Sequence, residues 1–397
     1  MITRAILLAA LLSIAAFRVV RWLEPRALRR PWQAALYFGF TAAVFGAWLW
    51  VRSLGHGNAG AIGPVVQAIA SSWTIAILAC VVVGLPVGVL RALSRIGRKA
   101  APADVDLERR RFLGGMAVPV VAVTTGASGT VAGLGPFTVR YEDVHVPGLP
   151  DALDGFRIGQ ITDIHVGDFI DPAYVAEAVE AMNQAGCHLQ VMTGDLIDDL
   201  EELDATFAAL DRCAAPHGMV AILGNHEIWR GRARVLAKYD EVAPRGRVRL
   251  LVDASERIEH DGAVLRVVGV DYPMGPGGKH RLPPEERDAI MRASAERAFA
   301  QAQPGETVLC LSHHPDFFPI AAARGAALTL AGHTHGGQFA VLGMPVFRFA
   351  YDFMLGRYRL GDAHLYVSGG TGHWLPWRVG VPTEVTILTL RARQAEA

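Results

Sequence analysis

The chain has 397 residues, 51% of them apolar and only 19% charged. That composition excludes intrinsic disorder and points to membrane segments. The formal net charge is zero, but the two signs are segregated: residues 1–103 hold 11 Lys/Arg against the single acid Glu24, and the remainder holds 27 bases against 37 acids. A net-acidic remainder argues against a nucleic-acid surface, so no nucleic acid partner is expected. Of the 14 histidines only His56 precedes residue 137. The four cysteines, Cys80, Cys187, Cys213 and Cys310, fit neither a disulfide framework nor a Cys-rich zinc site.

The N-terminal third reads as membrane. Ala5–Phe17 is a short uncharged segment between Arg4 and Arg18, and it spans only if those arginines snorkel. Arg18, Arg21 and Arg26 follow it without a small-residue cleavage site, which favours a retained helix over a signal peptide. Pro31–Val51 is 21 residues without a charge and Ser53–Leu90 is 38; each exceeds the ~20 residues that cross a bilayer. Phe112–Val139 is also uncharged but rich in Gly, Ser and Thr, and follows Arg109-Arg110-Arg111-Phe112-Leu113. It is read as a fourth span or an export signal of the twin-arginine kind, ahead of a plain linker. The expected division is a membrane region over 1–111, this segment over 112–136 and a soluble domain over 137–397.

Loop charge sets orientation. Residues 18–30 carry five arginines and residues 91–111 carry seven Lys/Arg, which places both loops in the cytoplasm. If 112–135 then crosses, the soluble domain lies on the extracytoplasmic side of the cell membrane.

From Tyr141 onward strands and helices alternate. Phe156–Ile164 predicts a strand. Asp171-Pro172 starts a helix, as N-cap and first helical residue, that stops at Gly186. Strands are expected at Leu189–Thr193, Met219–Leu223, Val308–Leu311, Ala327–Leu330, Ala363–Val367 and Glu384–Leu390. Helices are expected at Leu200–Cys213, Arg230–Tyr239 and Pro283–Ala302. Arg257–His260 and Ala263–Val270 flank Asp261-Gly262, a hairpin signal. This pattern predicts an α/β sandwich with sheets inside and helices outside.

The polar residues that break the strand pattern all fall just past strand C-termini, where ligands of open α/β sheets gather. They are Asp163-Ile164-His165, Gly194-Asp195-Leu196-Ile197-Asp198, Gly224-Asn225-His226-Glu227, Ser312-His313-His314-Pro315 and Gly332-His333-Thr334-His335-Gly336-Gly337-Gln338. Carboxylate with imidazole suits Mn, Fe and Zn. The donors outnumber what one tetrahedral ion needs, so two divalent ions are expected, able to clamp the attacking and leaving oxygens of a phosphoryl displacement. The spacing of Asp163 and His165, and of His333 and His335, predicts projection from one face of a strand end.

The ordered set D-x-H, G-D, G-N-H-E, S-H, G-H-T-H resembles the calcineurin-like metallophosphoesterases over roughly residues 137–391. The flanking text is similar to the membrane-linked bacterial branch and to membrane proteins with a metallophosphoesterase domain. The resemblance implies a four-layer α/β/β/α sandwich behind N-terminal transmembrane helices. It also implies Asp163, His165 and His335 on the first metal, Asn225, His313 and His333 on the second, and Asp195 bridging. His226 then steadies the phosphate or protonates the leaving oxygen.

Asp198 stands where the purple acid phosphatases carry a tyrosinate, which argues against a charge-transfer iron site. Asp168, Asp198 and Asp199 read more readily as solvated loop acids than as support for the ligands, and His188 as a satisfied core or surface histidine. His314 yields the metal to His313. His373 and Arg378 are candidates for substrate contact or for capping. Phe347, Phe349, Tyr351, Phe353, Met354 and Leu355 read first as an alternating strand on the core, second as an apolar lip for a lipid-linked phosphate.

The expected function is a membrane-anchored phosphohydrolase, dependent on two divalent metal ions (Mn, Zn or Fe), which cleaves phosphodiesters or phosphomonoesters by a metal-activated hydroxide. Its partners are a phosphate-ester substrate, lipid- or envelope-linked, and the bilayer. The alternative is a non-catalytic metal- or phosphate-binding membrane sensor or scaffold. A transporter ranks last, because the spans contain no acid.

Overall fold

The computed structural model describes residues 2–54, 60, 62–94, 105–275, 277, 279 and 282–392. The side chains of 2–5 and 105–114 lie outside the described residues, and with them the Arg109–Arg111 side chains; so do residues 95–104 of the second basic loop and His56. The chain forms two compact units. One is Met1–Leu134 with Leu375–Val379, the other Gly135–Trp374 with Gly380–Ala397.

The first unit is helical: α1 (Ile2–Leu23), α2 (Pro31–Ser53), α3 (Ile62–Leu93) and α4 (Val105–Gly133). All four are long and apolar enough to cross a membrane. Most of their large side chains point outward, which suits lipid rather than water. Inside, Ala16, Val19 and Leu23 of α1 pack with Ile77, Cys80, Val118 and Ala122. Gly84 and Gly88, one turn apart on α3, lie against Val19 and Trp22, the close approach that small residues permit between membrane helices.

The second unit runs β1 (Thr138–Val146), β2 (Arg157–Ile161), α5 (Pro172–Gln184), β3 (Leu189–Thr193), α6 (Leu203–Leu210), β4 (Met219–Ile222), α7 (Asn225–Val242) and β5 (Val248–Leu250). It continues β6 (Ala254–His260), β7 (Ala263–Gly269), α8 (Pro284–Ala298), β8 (Thr307–Leu311), α9 (Phe318–Ala323), β9 (Leu328–Ala331), β10 (Ala340–Val341), β11 (Met344–Pro345), β12 (Gly356–Leu360), β13 (Ala363–Val367) and β14 (Glu384–Ala392). One six-stranded sheet has the order β1-β14-β2-β3-β4-β5, the other β12-β13-β9-β8-β7-β6. In the first sheet only the β14–β2 pairing is antiparallel; in the second, the edge strands β12 and β6 are.

The period-two alternation of each strand sorts its residues between layers. Val191, Val220, Ile222, Leu265, Val267, Leu309 and Leu311 meet between the sheets. Their neighbours Met192, Met219 and Ala221 pack outward with α5, α6 and α7, and Val268, Val308 and Cys310 pack outward with α8 and α9. The result is the four-layer α/β/β/α sandwich, with both sheets buried on both faces. The Asp171 cap accepts from the Tyr174 N–H at 3.0 Å, and Asp261-Gly262 turns the β6–β7 hairpin with φ of 47° and 85°, as their sequence signals require.

Six elements go beyond the sequence pattern. β1 and β12 are edge strands studded with charge, β5 is three residues long, α9 six, and β10 and β11 two each. The aromatic stretch 347–355 is not the alternating core strand expected. It is irregular: Phe347 and Phe349 face solvent while Met354 is buried.

A buried ion pair fastens β7 to the start of β8, the strand that leads to His313. Arg266 donates through Nε and Nη2 to Glu306 at 2.9 and 2.8 Å. That pairing holds the Glu306 carboxyl below its ordinary value. A depressed folded value means stability present above the unfolded carboxylate range of about 4.3 and lost as pH falls through the folded value. Glu306→Gln is therefore expected to cost about 1–2 kcal/mol at neutral pH, with the difference from wild type shrinking below about pH 4. Denaturant midpoints measured across pH check this.

Candidate metal centre

Every sequence-selected site residue lies past the C-terminal end of a parallel strand. Asp163 and His165 follow β2, Asp195 follows β3, Asn225 and His226 open α7 after β4, His313 follows β8, and His333 and His335 follow β9. Asp163, His165, Asp195, Asn225, His313 and His335 are buried, and His226 and His333 are partly so.

Asp163 and His165 do not project from one face of a strand end, as their spacing predicts. β2 ends at Ile161, and both residues adopt left-handed backbone, with φ of 52° and 59°. His333 and His335 do the same at 72° and 50°, and Asp195 at 56°. A turned backbone, not the pleat, aims these pairs. Left-handed geometry costs a non-glycine residue about 1–3 kcal/mol and persists where the surroundings over-determine it, as they do at functional sites.

Those surroundings are specific. The Gly332 and Gly224 of the motifs are required by close approach: a Cβ at Gly332 would meet Asp163 Oδ2 at 2.1 Å, and one at Gly224 would meet Asp195 Oδ1 at 2.2 Å. The His333 N–H donates to both Asp163 oxygens at 2.9 and 3.0 Å, and the His226 N–H donates to Asp195 Oδ1 at 2.8 Å. The Thr371 and Gly372 N–H groups donate to the Thr162 and Asp163 carbonyls, which pins the first loop from the far side. Glu227, fully buried, accepts four N–H groups: Leu196 and Ile197 on Oε1 at 2.6 and 3.2 Å, Asp195 and Gly224 on Oε2 at 3.0 and 2.7 Å.

The side-chain donors then converge. His165 Nε2 and His335 Nε2 stand 3.1 Å apart, with Asp163 Oδ1 3.4 Å from His335. His313 Nε2 is 3.1 Å from Asp195 Oδ2 and 3.3 Å from His333 Nδ1. Three groups of donor atoms, each within 4.8 Å of one another, could hold a metal ion: Asp163, His165 and His335; Asp195, His313 and His333; and between them His165, Asp195 and His226. The His313 Nδ1 donates to the Thr193 carbonyl at 2.8 Å, which fixes the ring and leaves Nε2 facing the cluster.

Burial and close opposite charges pull the titrating groups of the cluster in different directions. Burial, with Asp195 close by, raises the Asp163 carboxyl despite His313. Burial would raise Asp195 too, but His313 and His226 hold it well below the usual range. Burial opposes charge on His313, yet the Asp195 and Asp163 carboxylates push it up to about 9. Burial and His313 push His333 down to about 3. The buried Asn225 Oδ1 meets no donor among the described residues. Imidazoles at nitrogen–nitrogen contact, an orphaned carbonyl oxygen and two carboxylates fit borderline divalent metals.

His226 stands at the rim. Its Nδ1 is 2.5 Å from Asp198 Oδ1, which also accepts from Arg230 Nε at 3.1 Å. Burial lowers His226, but Asp195 and Asp198 outweigh it and raise the ring above its ordinary value. Asp198 is thus largely buried and paired, not the solvated loop acid expected. His314 turns away from the cluster onto the His333 ring, and its Nδ1 accepts from the Asp316 N–H. Asp199 caps the turn at Glu201, and His188 accepts from the Arg157 N–H at 2.9 Å. His373 is buried beside the Phe169 ring; Arg378 belongs to the helical unit, where its N–H donates to the Gly129 carbonyl. The roles of Asp198, Glu227 and Arg230 were not foreseen. The sequence signal for them was their place inside or beside the motifs.

The same part of the chain is similar to known proteins. Residues 156–337 match the family model described as calcineurin-like phosphoesterase. The uncharacterized metallophosphoesterase YkuE of Bacillus subtilis is 26% identical over 299 residues, covering 72% of this chain and 98% of its own length. A Helicobacter pylori metallophosphoesterase is 26% identical over 245 residues, where the match spans 60% of this chain and 61% of the relative. A transmembrane protein with metallophosphoesterase domain from Bos taurus is 26% identical over 324 residues, 77% of this chain and 69% of that one. Among solved structures, a dimetal phosphatase from Danio rerio aligns with a TM-score of 0.35 at 15% identity, over 55% of this chain and 88% of that one. Residues 156–337 thus match a calcineurin-like phosphoesterase domain, in a chain similar to proteins named metallophosphoesterases and with four helices apolar enough to cross a membrane.

Proposed function

We propose that the cluster holds two divalent cations, manganese, zinc or iron, and that the chain cleaves phosphodiesters or phosphomonoesters that are lipid- or envelope-linked. The observation that carries this is the convergence of seven side chains, Asp163, His165, Asp195, His226, His313, His333 and His335, from five loops of two sheets onto one cluster, with the buried Asn225 Oδ1 lacking a donor among the described residues. Asp163, His165 and His335 would hold one cation, Asn225, His313 and His333 the other, with Asp195 shared between them. When bound, the cations supply Lewis-acid charge for in-line attack of water on phosphorus.

The protein's own groups do the rest. His226 presents Nε2 to the phosphoester and gives its proton to the leaving oxygen. Asp198 holds the ring through Nδ1, and Arg230 holds Asp198. Loop charge supports a cell-membrane location with the hydrolase domain on the extracytoplasmic side, which a reporter fusion checks.

Full-length protein loaded with manganese or zinc is expected to retain about two ions per chain and to hydrolyse bis-p-nitrophenyl phosphate. Chelation should remove that activity and metal should restore it. Fewer than one ion per chain by elemental analysis overturns the reading. Ions bound without turnover leave the sensor or scaffold.

A further inference from the structure

We propose that the β10–β11 hairpin and the loop behind it, residues 340–349, insert into an anionic lipid surface and deliver an amphiphilic phosphoester to the cluster. This deepens, and rests on, the phosphohydrolase reading above. Between Phe339 and Ala350 the only charge is Arg348. Leu342 and Gly343 form the hairpin turn with φ of 51° and 78°, a geometry that favours Asn-Gly or Asp-Gly. The β6–β7 hairpin of the same domain obeys that preference with Asp261-Gly262. At Leu342 the chain instead places a strained leucine, 94% exposed, where asparagine would be both relaxed and soluble.

Its neighbours continue the pattern. Val341, Met344 and Phe347 are about half exposed and Phe349 is 83% exposed, with the Phe347 and Phe349 rings 6.3 Å apart. Soluble surfaces scatter such residues singly; a concentrated apolar patch marks an interaction surface. The patch grows directly from the cluster: Gly337, two residues past His335, lies against Phe347, and the Tyr351 hydroxyl is 3.2 Å from His333 Nε2. Apolar side chains with one guanidinium and no acid fit the boundary between acyl chains and anionic headgroups. The chain's four membrane-length helices keep it at a bilayer.

The test uses the full chain carrying Leu342→Cys. The four native cysteines are buried, so an environment-sensitive fluorophore reports the new thiol. In nanodiscs of phosphatidylcholine and phosphatidylglycerol, doxyl-labelled lipid is expected to quench it about twofold or more, and to leave an Asp362→Cys label unchanged. The double variant Leu342→Asn/Phe349→Ser is expected to lose about tenfold or more on bilayer-embedded p-nitrophenyl hexadecyl phosphate and to keep its rate on soluble bis-p-nitrophenyl phosphate. A label unquenched by doxyl lipid overturns the proposal; if it is nonetheless shielded from water, a protein partner or a second copy covers the hairpin. Equal losses on both esters also overturn it. Quenching in a wild-type chain inactive on the soluble ester supports insertion and overturns the phosphohydrolase reading instead.

Discussion

Asp195→Asn is expected to lower phosphoester hydrolysis by about 10³-fold or more and to lower bound metal with it, beyond the 10–100-fold typical of groups that only support a ligand. The Asp195 carboxylate faces both halves of the cluster: Oδ2 lies 3.1 Å from His313, 3.8 Å from His165 and 3.9 Å from His226. Asparagine keeps the shape and one oxygen but removes the charge that offsets buried imidazolium or cation. His226→Ala is the informative contrast. It removes the proposed proton donor and spares the seven side chains proposed to hold the cations, so activity should fall by about 10²–10⁴-fold while metal content stays at the wild-type level. Elemental analysis and initial rates on one soluble ester separate the two. An Asp195→Asn protein with wild-type metal and rate would remove the shared-carboxylate assignment.

Glu227→Gln is expected to destabilise the hydrolase domain by about 2–4 kcal/mol, a fall in Tm of roughly 5–15 °C for a domain of this size. Each Glu227 oxygen accepts two N–H groups, so either orientation of the amide loses two hydrogen bonds and points an NH₂ at two donors. Burial, with Asp195 nearby, raises this carboxyl, and the N–H groups of Gly224 and Ile197 counteract it. Because three of the four N–H groups belong to the Asp195 loop, the variant should also bind manganese more weakly. Calorimetry with and without metal reads both effects. Unchanged Tm would mean that the loop is held by other contacts.

The donor atoms were legible in the sequence because strand-end Asp, His and Asn interrupt apolar runs, and the glycines beside them announce close backbone approach. The layers were legible for a similar reason: Val191 and Met192, or Leu309 and Cys310, are all apolar, as strands covered on both faces must be. Backbone handedness was not legible. Nothing in Asp163-Ile164-His165 distinguishes a pleated pair from two left-handed residues, since tertiary hydrogen bonds from Thr371 and Gly372, over 200 residues away, impose the turn. Asp198 looked like one more loop acid, because its pairing with His226 and Arg230 depends on α7 beginning at Asn225 rather than near Arg230. The edge strands β1 and β12 were obscured by the charges that keep exposed edges soluble.

The division of donors between the sheets has a mechanical consequence. Asp163, His165, Asp195 and Asn225 belong to one sheet, and His313, His333 and His335 to the other. A cation held by Asp163, His165 and His335, or by Asp195, His313 and His333, is therefore a staple across the plane where the sheets meet. Elsewhere along that plane, apolar packing resists sliding without direction, helped by the Tyr366 hydroxyl donating to Glu384 at 2.9 Å and Gln160 Nε2 donating to the Ala331 carbonyl at 3.1 Å. At the loop end, any shear of one sheet past the other would have to stretch metal–ligand bonds, so filling the centre locks the sandwich in register from that end.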